Sequence, residues 1–435
     1  MKPLVAIVGR PNVGKSTLFN RIVGYRKAIV EDTPGVTRDL NFAEVEAEGK
    51  AFTLVDTGGF EPGEEPVAAQ VIKGCQWAIE EADLVLFVLD GREGLTPLDE
   101  EIGRLLREKG KRVLYVINKI DGPRHEKEVY DFYRLGSERL HPVSAQHGYR
   151  FGGLMEELLR ALPSSSEEEE KGEEGVRVAV VGRPNVGKSS LVNAILGYER
   201  VIVDERPGTT RDAIDTPFRW GERSYLLIDT AGIRRRSRIS LRLERYSVIE
   251  AIRSIERSDV SLLMIDAREG VTEQDMRIGG LIERRGKGCV ILVNKWDLLG
   301  GKAREGEYAQ MVCRRLWFLD HAPLLFISAL RGEGVGKVLE AVDRVAEEGR
   351  KRINTSELNR WMEGVLSSHS PPHWRGRPVK FYYLTQVGVR PPTFVFFVNH
   401  PQGVTANYQR YLARKLREAF RFEGNPIRLI FRQRG

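Results

Sequence analysis

A nine-residue sequence occurs twice in the chain, with a lysine and a hydroxyl residue at matching places. Residues 9–17 read GRPNVGKST, and residues 182–190 read GRPNVGKSS. A glycine-rich loop of this kind can turn backbone N–H groups toward an anion, and a helix that begins there adds partial positive charge. The lysine can reach terminal phosphates, and the hydroxyl can ligate Mg²⁺. The residues predicted to surround phosphate are Gly9, Asn12, Val13, Gly14, Lys15, Ser16, Thr17, Gly182, Asn185, Val186, Gly187, Lys188, Ser189 and Ser190.

Each loop stands between two segments that can position it. The apolar runs 4–8 (LVAIV) and 178–181 (VAVV) predict buried parallel strands, and the periodic segments 18–23 and 191–196 predict helices. A single loop of this kind could be a plain glycine turn. Two loops in the same strand–loop–helix context favour phosphate binding.

The composition predicts an ordinary globular chain of about three domains. Of its 435 residues 41% are hydrophobic, and no apolar run approaches the ~20 residues of a membrane span. The first residues lead into a strand, without a secretory or transit pattern. Cys75, Cys289 and Cys313 form no metal or disulfide pattern, so we expect reduced, buried thiols and a cytoplasmic location.

The net charge of +7 is distributed unevenly. Residues 350–435 contain 16 Lys and Arg against 4 Asp and Glu, a balance of +12, which leaves −5 for the rest of the chain. The basic segment predicts a polyanionic partner for the C-terminal end.

Further motifs recur at the spacing of the two loops, 173 residues. The sequence PGVTRD at 34–39 returns as PGTTRD at 207–212, and DTGG at 56–59 returns as DTAG at 229–232. Slightly larger offsets relate Asn118-Lys119-Ile120-Asp121 to Asn294-Lys295-Trp296-Asp297, and Ser144-Ala145 to Ser328-Ala329. The chain is therefore predicted to contain one domain twice.

Apolar strands alternate with amphipathic helices in both copies, which predicts α/β domains with mostly parallel sheets covered by helices. The strands are predicted at 84–89, 113–117, 260–265 and 290–293, and the helices at 99–109 and 241–255. Residues 163–175 (PSSSEEEEKGEEG) predict a flexible acidic linker rather than a functional acidic tail. We expect domains at 1–162 and 176–349, and a small basic αββαβ domain at 350–435.

The Asn-Lys-x-Asp motif selects the base. The carboxylate can accept hydrogen bonds from guanine N1–H and its exocyclic amine, a donor pair that adenine lacks. Asp121 and Asp297 are predicted in this role, while Asn118 and Asn294 tie the motif to the phosphate loop. Lys119 and Lys295 would lie along the purine plane, and the N–H groups at Ser144, Ala145, Ser328 and Ala329 would face guanine O6.

The remaining motifs predict a magnesium-dependent switch in each copy. Metal ligands are predicted at Ser16, Thr37, Asp56, Ser189, Thr210 and Asp229, the two aspartates acting through water. Gly59 and Gly232 would offer N–H groups to the γ-phosphate. Each threonine can ligate Mg²⁺ only while that phosphate is present, so its loop would order with GTP. Lys15, Thr37, Lys188 and Thr210 are the predicted catalytic residues.

These five motifs, in this order, resemble those of translation-factor-type GTPases. Two such domains with an acidic linker and a basic tail resemble the bacterial double-GTPase family Der, also called EngA, over essentially the whole chain. The resemblance implies P-loop GTPase domains, a KH-like C-terminal domain, and a ribosome assembly factor that acts on the large subunit and its rRNA.

The position where many GTPases carry a water-orienting glutamine holds Phe60 or Ile233, so we expect slow intrinsic hydrolysis. Asn12 and Asn185 stand where related potassium-dependent GTPases hold K⁺ beside the phosphates, which implies potassium stimulation. The alternative is that each asparagine only braces its loop.

The basic tail lacks a GxxG sequence, so a KH-like fold alone does not imply sequence-specific RNA binding. Its cations, at Arg410, Arg414, Lys415, Arg417, Arg428, Arg432 and Arg434, favour contact with rRNA phosphates. The alternative is contact with an acidic surface of the G domains. Phe394, Phe396 and Phe397 are predicted to pack rather than to stack on bases.

The second switch region is predicted to carry positive charge at Arg234, Arg235, Arg236 and Arg238, for an rRNA or phosphate contact gated by GTP. The first carries Glu61, Glu64 and Glu65 instead.

We expect a monomeric GTPase that binds GTP or GDP with Mg²⁺. The competing hypotheses are a module with one permanently bound structural nucleotide, and a motor or transport ATPase. The motifs present in both copies argue against the first, and the NKxD sequences argue against the second.

Overall fold

The computed structural model describes residues 3–25, 42–56, 75–76, 78–80, 82–137, 139–163, 175–198, 201–203, 215–229, 244–300 and 304–433. The chain divides into two units, Met1–Glu169 and Glu170–Gly435. The second unit contains both the second G domain and the basic C-terminal domain.

The first unit is built on a six-stranded sheet in the order β2-β3-β1-β4-β5-β6. Its strands are β1 Leu4–Val8, β2 Phe42–Ala47, β3 Lys50–Asp56, β4 Leu84–Asp90, β5 Val113–Asn118 and β6 Leu140–Pro142. All neighbours pair in parallel except β2, which pairs antiparallel with β3. The predicted parallel core is confirmed, and the antiparallel edge strand is an addition that the apolar runs did not indicate.

Helices cover both faces of this sheet because its central strands are apolar on both sides. The helices are α1 Lys15–Val23, α2 Pro97–Glu108 and α3 Phe151–Ala161, with a 3₁₀ segment at Pro123–Leu135. One face packs Val5 and Ile7 against Leu18 of α1 and Leu158 of α3. The opposite face packs residues such as Ala6 and Val8 against Ile102 and Leu106 of α2.

The second unit repeats this architecture with one more strand, in the order β13-β12-β11-β7-β10-β9-β8. Its strands are β7 Val176–Val181, β8 Val201–Val203, β9 Thr216–Trp220, β10 Arg223–Ile228, β11 Val260–Asp266, β12 Gly288–Asn294 and β13 Leu324–Phe326. The helices are α4 Lys188–Leu196, α5 Glu244–Arg257, α6 Glu273–Arg285, α7 Glu305–Arg315 and α8 Val335–Arg350. The β8–β9–β10 edge is antiparallel and the rest is parallel.

The C-terminal domain has the predicted αββαβ order. Its elements are α9 Thr355–Ser368, β16 Phe381–Val389, β17 Pro392–Val398, α10 Ala406–Phe420 and β18 Arg428–Gln433, with a short hairpin of β14 His373–Trp374 and β15 Arg377–Pro378. Strand β17 pairs antiparallel with β16 and parallel with β18. Phe394 and Phe396 are buried in the core, as predicted, whereas Phe397 is only partly buried.

Two of the seven predicted tail cations contact or lie close to the second G domain, Arg417 partly buried and Arg428 exposed. Arg417 is partly buried near Glu283 and Asp320, and it donates to the carbonyl of Phe422. Arg428 donates to the carbonyl of Arg284 in α6. The alternative of contact with the G domain is therefore correct for these two residues, because α10 and β18 line the junction with α6.

The cysteine prediction is wrong for one residue. Cys75 and Cys289 are buried, but Cys313 is exposed because it lies on the polar face of α7. In the described part of the chain, no helix combines the length and apolar character that crossing a bilayer requires.

Candidate functional site

The phosphate loop of each G domain lies between its first strand and first helix, next to the NKxD motif. Gly14 has a φ of 91° and Gly187 a φ of 103°, in the left-handed region that favours glycine. A Cβ on either glycine would lie 2.3 Å from the side-chain nitrogen of Asn118 or Asn294, respectively. Glycine is therefore required both for the turn and for the close approach of the asparagine.

One asparagine joins the phosphate loop, the NKxD motif and the Ser-Ala motif in each copy. Asn118 Nδ2 donates to the carbonyl of Val13 at 2.8 Å, and its Oδ1 accepts from the N–H of Ala145 at 2.9 Å. Asn294 makes the same contacts with Val186 at 2.7 Å and Ala329 at 2.9 Å. Both asparagines are buried, so these bonds fix the predicted base site relative to the predicted phosphate site.

The phosphate-loop lysines bridge their own loops. Lys15 Nζ donates to the carbonyls of Gly9 at 2.9 Å and Arg10 at 2.7 Å, and Lys188 Nζ donates to Gly182 at 2.8 Å and Arg183 at 2.9 Å. Burial lowers the pKa of Lys15, and the charge of nearby Asp56 opposes this effect. The two ammonium groups therefore lie at equivalent places over the two loops.

Each predicted guanine carboxylate lies beside an arginine, and the carboxylate of the first copy also contacts the Ser-Ala motif. Asp121 accepts from Ser144 Oγ at 2.7 Å and pairs with Arg92, and these contacts, the serine first, lower its pKa. In the second copy, Asp297 lies 3.3 Å from Arg331 Nε. The lowered pKa of Asp121 favours the ionised carboxylate, the form that would accept hydrogen bonds from guanine.

The lysines of NKxD are held by carboxylates that none of the sequence motifs indicates. Lys119 pairs with Asp90 at the end of β4, and Lys295 donates to Asp266 at the end of β11 at 2.6 Å and to the carbonyl of Asn185 at 2.8 Å. Asp90 and Asp266 have lowered pKa values, because hydrogen bonds from the lysines and from backbone N–H groups outweigh burial.

Two arginines that the sequence motifs do not indicate, Arg10 and Arg183, support the phosphate loops. Arg10 contacts Asp99 at 3.2 Å and Glu93 at 2.7 Å, and Arg183 lies 3.5 Å from Asp275 and pairs with Glu269. Asp99 and Asp275 also close capping boxes with Thr96 and Thr272, so each arginine fastens its loop to the start of a helix. The acidic partners and the capping threonines do recur in the sequence, in the segments 90–99 (DGREGLTPLD) and 266–275 (DAREGVTEQD). This repeat is the sequence feature that could have indicated them.

Two of the predicted magnesium ligands of the first copy, Ser16 and Asp56, lie within hydrogen-bond distance of each other. Ser16 Oγ donates to Asp56 Oδ2 at 2.8 Å. A hydroxyl and a carboxylate oxygen are ligand types that Mg²⁺ prefers, so this pair fits the ion. Asp229 follows β10 with a φ of 59°, and its N–H donates to Asp215 at 2.9 Å. No group of three or more His, Cys, Asp or Glu side chains able to hold a metal occurs within the described ranges.

Several predicted residues lie outside the described residues. These are Thr37, Gly59, Phe60, Glu61, Glu64, Glu65, Thr210, Gly232, Ile233, Arg234, Arg235, Arg236, Arg238 and Arg434. Their roles stay predictions.

Asn12 and Asn185 occupy the same unusual conformation in both loops. Their φ angles are 66° and 62°, and both residues are exposed. Among the described contacts, neither side-chain amide has a hydrogen-bond partner. These contacts therefore contain no hydrogen bond by which either side chain would brace its loop.

Comparison with known proteins agrees with this duplicated geometry. The family described as 50S ribosome-binding GTPase matches residues 4–119 and 177–295, and the KH-domain-like C-terminal domain of EngA bacterial GTPase enzymes matches 352–432. GTPase Der of Geobacter metallireducens is 52% identical over 436 residues, which span 100% of this chain and 99% of that protein. This chain belongs to the Der family of GTPases. It therefore has two tandem GTPase domains and a C-terminal KH-like domain, and it acts on guanine nucleotides.

A second GTPase Der is similar over nearly the whole chain, and a solved structure of Era is similar at lower identity. GTPase Der of Moorella thermoacetica is 52% identical over 436 residues, which cover 99% of each chain. Among solved structures, Era of Aquifex aeolicus bound to GDP and AlF₄⁻ is 22% identical with a TM-score of 0.31, over 72% of this chain and 99% of that one.

Proposed function

We propose that the chain hydrolyses GTP at both sites and serves as an assembly factor in late formation of the large ribosomal subunit. The observation that carries the two-site proposal is the duplicated asparagine bridge, from Asn118 to Val13 and Ala145 and from Asn294 to Val186 and Ala329. The printed description of the matching family, 50S ribosome-binding GTPase, supports the ribosomal part.

In this mechanism each loop holds the β- and γ-phosphates by backbone N–H groups and by Lys15 or Lys188. Mg²⁺ would be held by Ser16, Thr37 and Asp56, and by Ser189, Thr210 and Asp229 in the second copy; when bound it neutralises phosphate charge. Gly59 and Gly232 would contact the γ-phosphate, and Asp121 and Asp297 would select guanine. Loss of the γ-phosphate would release Thr37 and Thr210, and we propose that the domains rearrange in response.

We also propose that K⁺ stimulates hydrolysis. Phe60 and Ile233 cannot orient water as a glutamine would, so positive charge must come from elsewhere. The side-chain oxygens of Asn12 and Asn185 have no donor among the described residues, and they lie in loops that surround phosphate. A monovalent cation held there would stabilise charge that develops between the β- and γ-phosphates.

We propose that rRNA phosphates contact the exposed cations of the KH-like domain. Arg410, Arg414 and Arg432 are exposed, whereas Arg417 and Arg428 belong to the junction with the second G domain. Such contacts supply affinity without sequence specificity. The switch arginines 234–236 and 238 would add a contact that depends on nucleotide.

The proposed domain boundaries are 1–162, 163–175, 176–349 and 350–435. They are supported by the end of α3 at Ala161, the start of β7 at Val176 and the end of α8 at Arg350. We further propose a cytoplasmic monomer, because the substrate and the ribosomal partner are cytoplasmic and each G domain supplies all the motifs of its own site.

Co-sedimentation with purified large ribosomal subunits tests the ribosomal proposal. The chain would be loaded with GDP or with a non-hydrolysable GTP analogue and measured at several salt concentrations. We expect binding that requires the analogue and weakens steeply with salt. A variant carrying Arg410→Glu and Arg414→Glu should bind less, while Arg304→Glu, an exposed change in the second G domain, should not alter binding. Equal or absent binding in both nucleotide states would remove the ribosome from the proposal.

A further inference from the structure

A small cavity lies inside the second unit, between the G domain and the KH-like domain. Its volume is about 60 Å³, several times the ~10–15 Å³ that one water molecule needs. Its lining includes Asp259, Arg285, Lys287, Arg390 and Asn425. Strands β11 and β12 begin here, at Val260 and Gly288, whereas their other ends, Asp266 and Asn294, reach the nucleotide motifs. The cavity is therefore at the opposite edge of the sheet from the GTP site.

The walls of this cavity are fixed by hydrogen bonds between the two domains. Asn425 Nδ2 donates to the carbonyl of Val345 at 2.8 Å, and the N–H of Cys289 donates to the carbonyl of Gly424 at 2.8 Å. The N–H of Phe422 donates to Glu348 at 2.8 Å. A ligand in this cavity would therefore meet groups that are already in place.

Positive charge exceeds negative charge around the cavity. Three cations line it, Arg285, Lys287 and Arg390, against one carboxylate, Asp259. That carboxylate is already shared, since it lies 3.0 Å from Arg390 and 3.3 Å from Arg177. Arg285 lies 3.0 Å from Glu256. The backbone N–H of Lys287 donates to Ile282, but its ammonium group is the one cationic group of the three with no hydrogen bond or ion pair among the described contacts.

The charged form of the Lys287 ammonium group is destabilised by its partly buried position. Burial lowers the pKa of its ammonium group to about 8, even though Asp259 and Glu256 act to raise it. A partly buried ammonium group is stabilised by a directly bound anion, which would raise this pKa again.

We propose that this cavity binds a phosphate group through Lys287 and Arg390. The ligand class is an oxyanion of phosphate size, either the free ion or a phosphate of an RNA backbone. Because its walls come from the G domain and the KH-like domain, the bound group fastens the two together. Binding here stabilises the second unit and is independent of the guanine nucleotide.

The test uses the full chain saturated with GDP and Mg²⁺, so that both nucleotide sites are filled. Inorganic phosphate is titrated at pH 7 and constant ionic strength, and binding is followed by ³¹P relaxation. Lys287→Gln should weaken phosphate binding about tenfold or more, as expected for loss of a charged hydrogen-bond donor. Lys287→Arg should retain it, and Lys380→Gln, at an exposed lysine of the KH-like domain, should bind as wild type does.

Competition separates the two sources of phosphate. A single-stranded RNA oligonucleotide that displaces phosphate from the wild type, but has no measurable effect in Lys287→Gln, identifies a backbone phosphate as the ligand. Failure of RNA to displace it identifies the free ion. Should Lys287→Gln not fold, Arg390→Gln provides the same comparison. Equal phosphate affinity in Lys380→Gln and the folded cavity variant would overturn the proposal.

Discussion

The side-chain amide of Asn118 donates a 2.8 Å hydrogen bond to the carbonyl oxygen of Val13, across 105 residues of sequence. Because the same side chain accepts from Ala145, its loss leaves a buried carbonyl and a buried N–H unsatisfied. Asn118→Ala should weaken guanine nucleotide binding at the first site by roughly 1–3 kcal/mol, about 5- to 150-fold. Calorimetric titration would measure the nucleotide affinity of each site separately, and the unchanged second site serves as the internal control. Unchanged affinity at the first site would contradict the bridging role.

The carboxylates Asp121 and Asp297 should determine the base. An amide in place of either carboxylate offers an N–H donor to the position where guanine has its exocyclic amine. Asp121→Asn should therefore lose GTP binding at the first site and gain binding of the xanthine nucleotide, which carries a carbonyl there. Asp297→Asn should do the same at the second site only. Retention of GTP affinity in either variant would place base selection elsewhere.

The cation requirement should depend on the phosphate-loop asparagines. We expect faster GTP turnover in K⁺ than in Na⁺ at equal ionic strength, because the smaller ion fits the same oxygens differently. Asn12→Ala with Asn185→Ala should remove most of this difference while leaving nucleotide affinity nearly unchanged. Equal rates in the two salts for the wild type would show that the asparagines serve another purpose.

Much of this architecture could be predicted from the sequence because the chemistry is local. The phosphate loops, the NKxD motifs and the buried parallel strands are continuous segments that occur twice. Asp90 and Asp266 were missed because each joins its lysine only when neighbouring strands β4 and β5, or β11 and β12, pair in register. The antiparallel strands β2 and β9 were missed because their mixed sequences carry weak periodicity. Arg417 was assigned to a contact with rRNA phosphates because helical spacing does not indicate which neighbouring domain covers a helix face.

A partly buried pair of titratable side chains, Glu283 and His321, lies at the junction of the second G domain and the KH-like domain. Glu283 Oε2 and His321 Nε2 lie 3.4 Å apart, and burial raises the pKa of Glu283 to about 7 and lowers that of His321 to about 4. The folded pair between these values is a protonated carboxyl beside a neutral imidazole. Unfolded, the ordinary pKa values are 4.5 and 6.5, so between them the pair holds one proton in either state. The wild-type pair therefore contributes little pH dependence there.

Replacing one residue of the pair should reveal the pH dependence that the other residue contributes to stability. In Glu283→Gln, His321 binds a proton only when unfolded, so stability should fall as pH drops from 6.5 toward 4. In His321→Gln, Glu283 holds a proton only when folded, so stability should fall as pH rises from 4.5 toward 7. Each slope should reach up to about 1.4 kcal/mol per pH unit, measured by scanning calorimetry. Parallel profiles of the two variants would disagree with this assignment.

The central claim is that both copies are working GTPase sites. GTP turnover measured separately for Lys15→Ala and Lys188→Ala tests it most directly, since each change removes the phosphate-loop ammonium from one copy. We predict that each single variant retains part of the wild-type turnover and that the double variant has none. If one variant abolished turnover while the other left it unchanged, one site would be structural and the claim would be wrong.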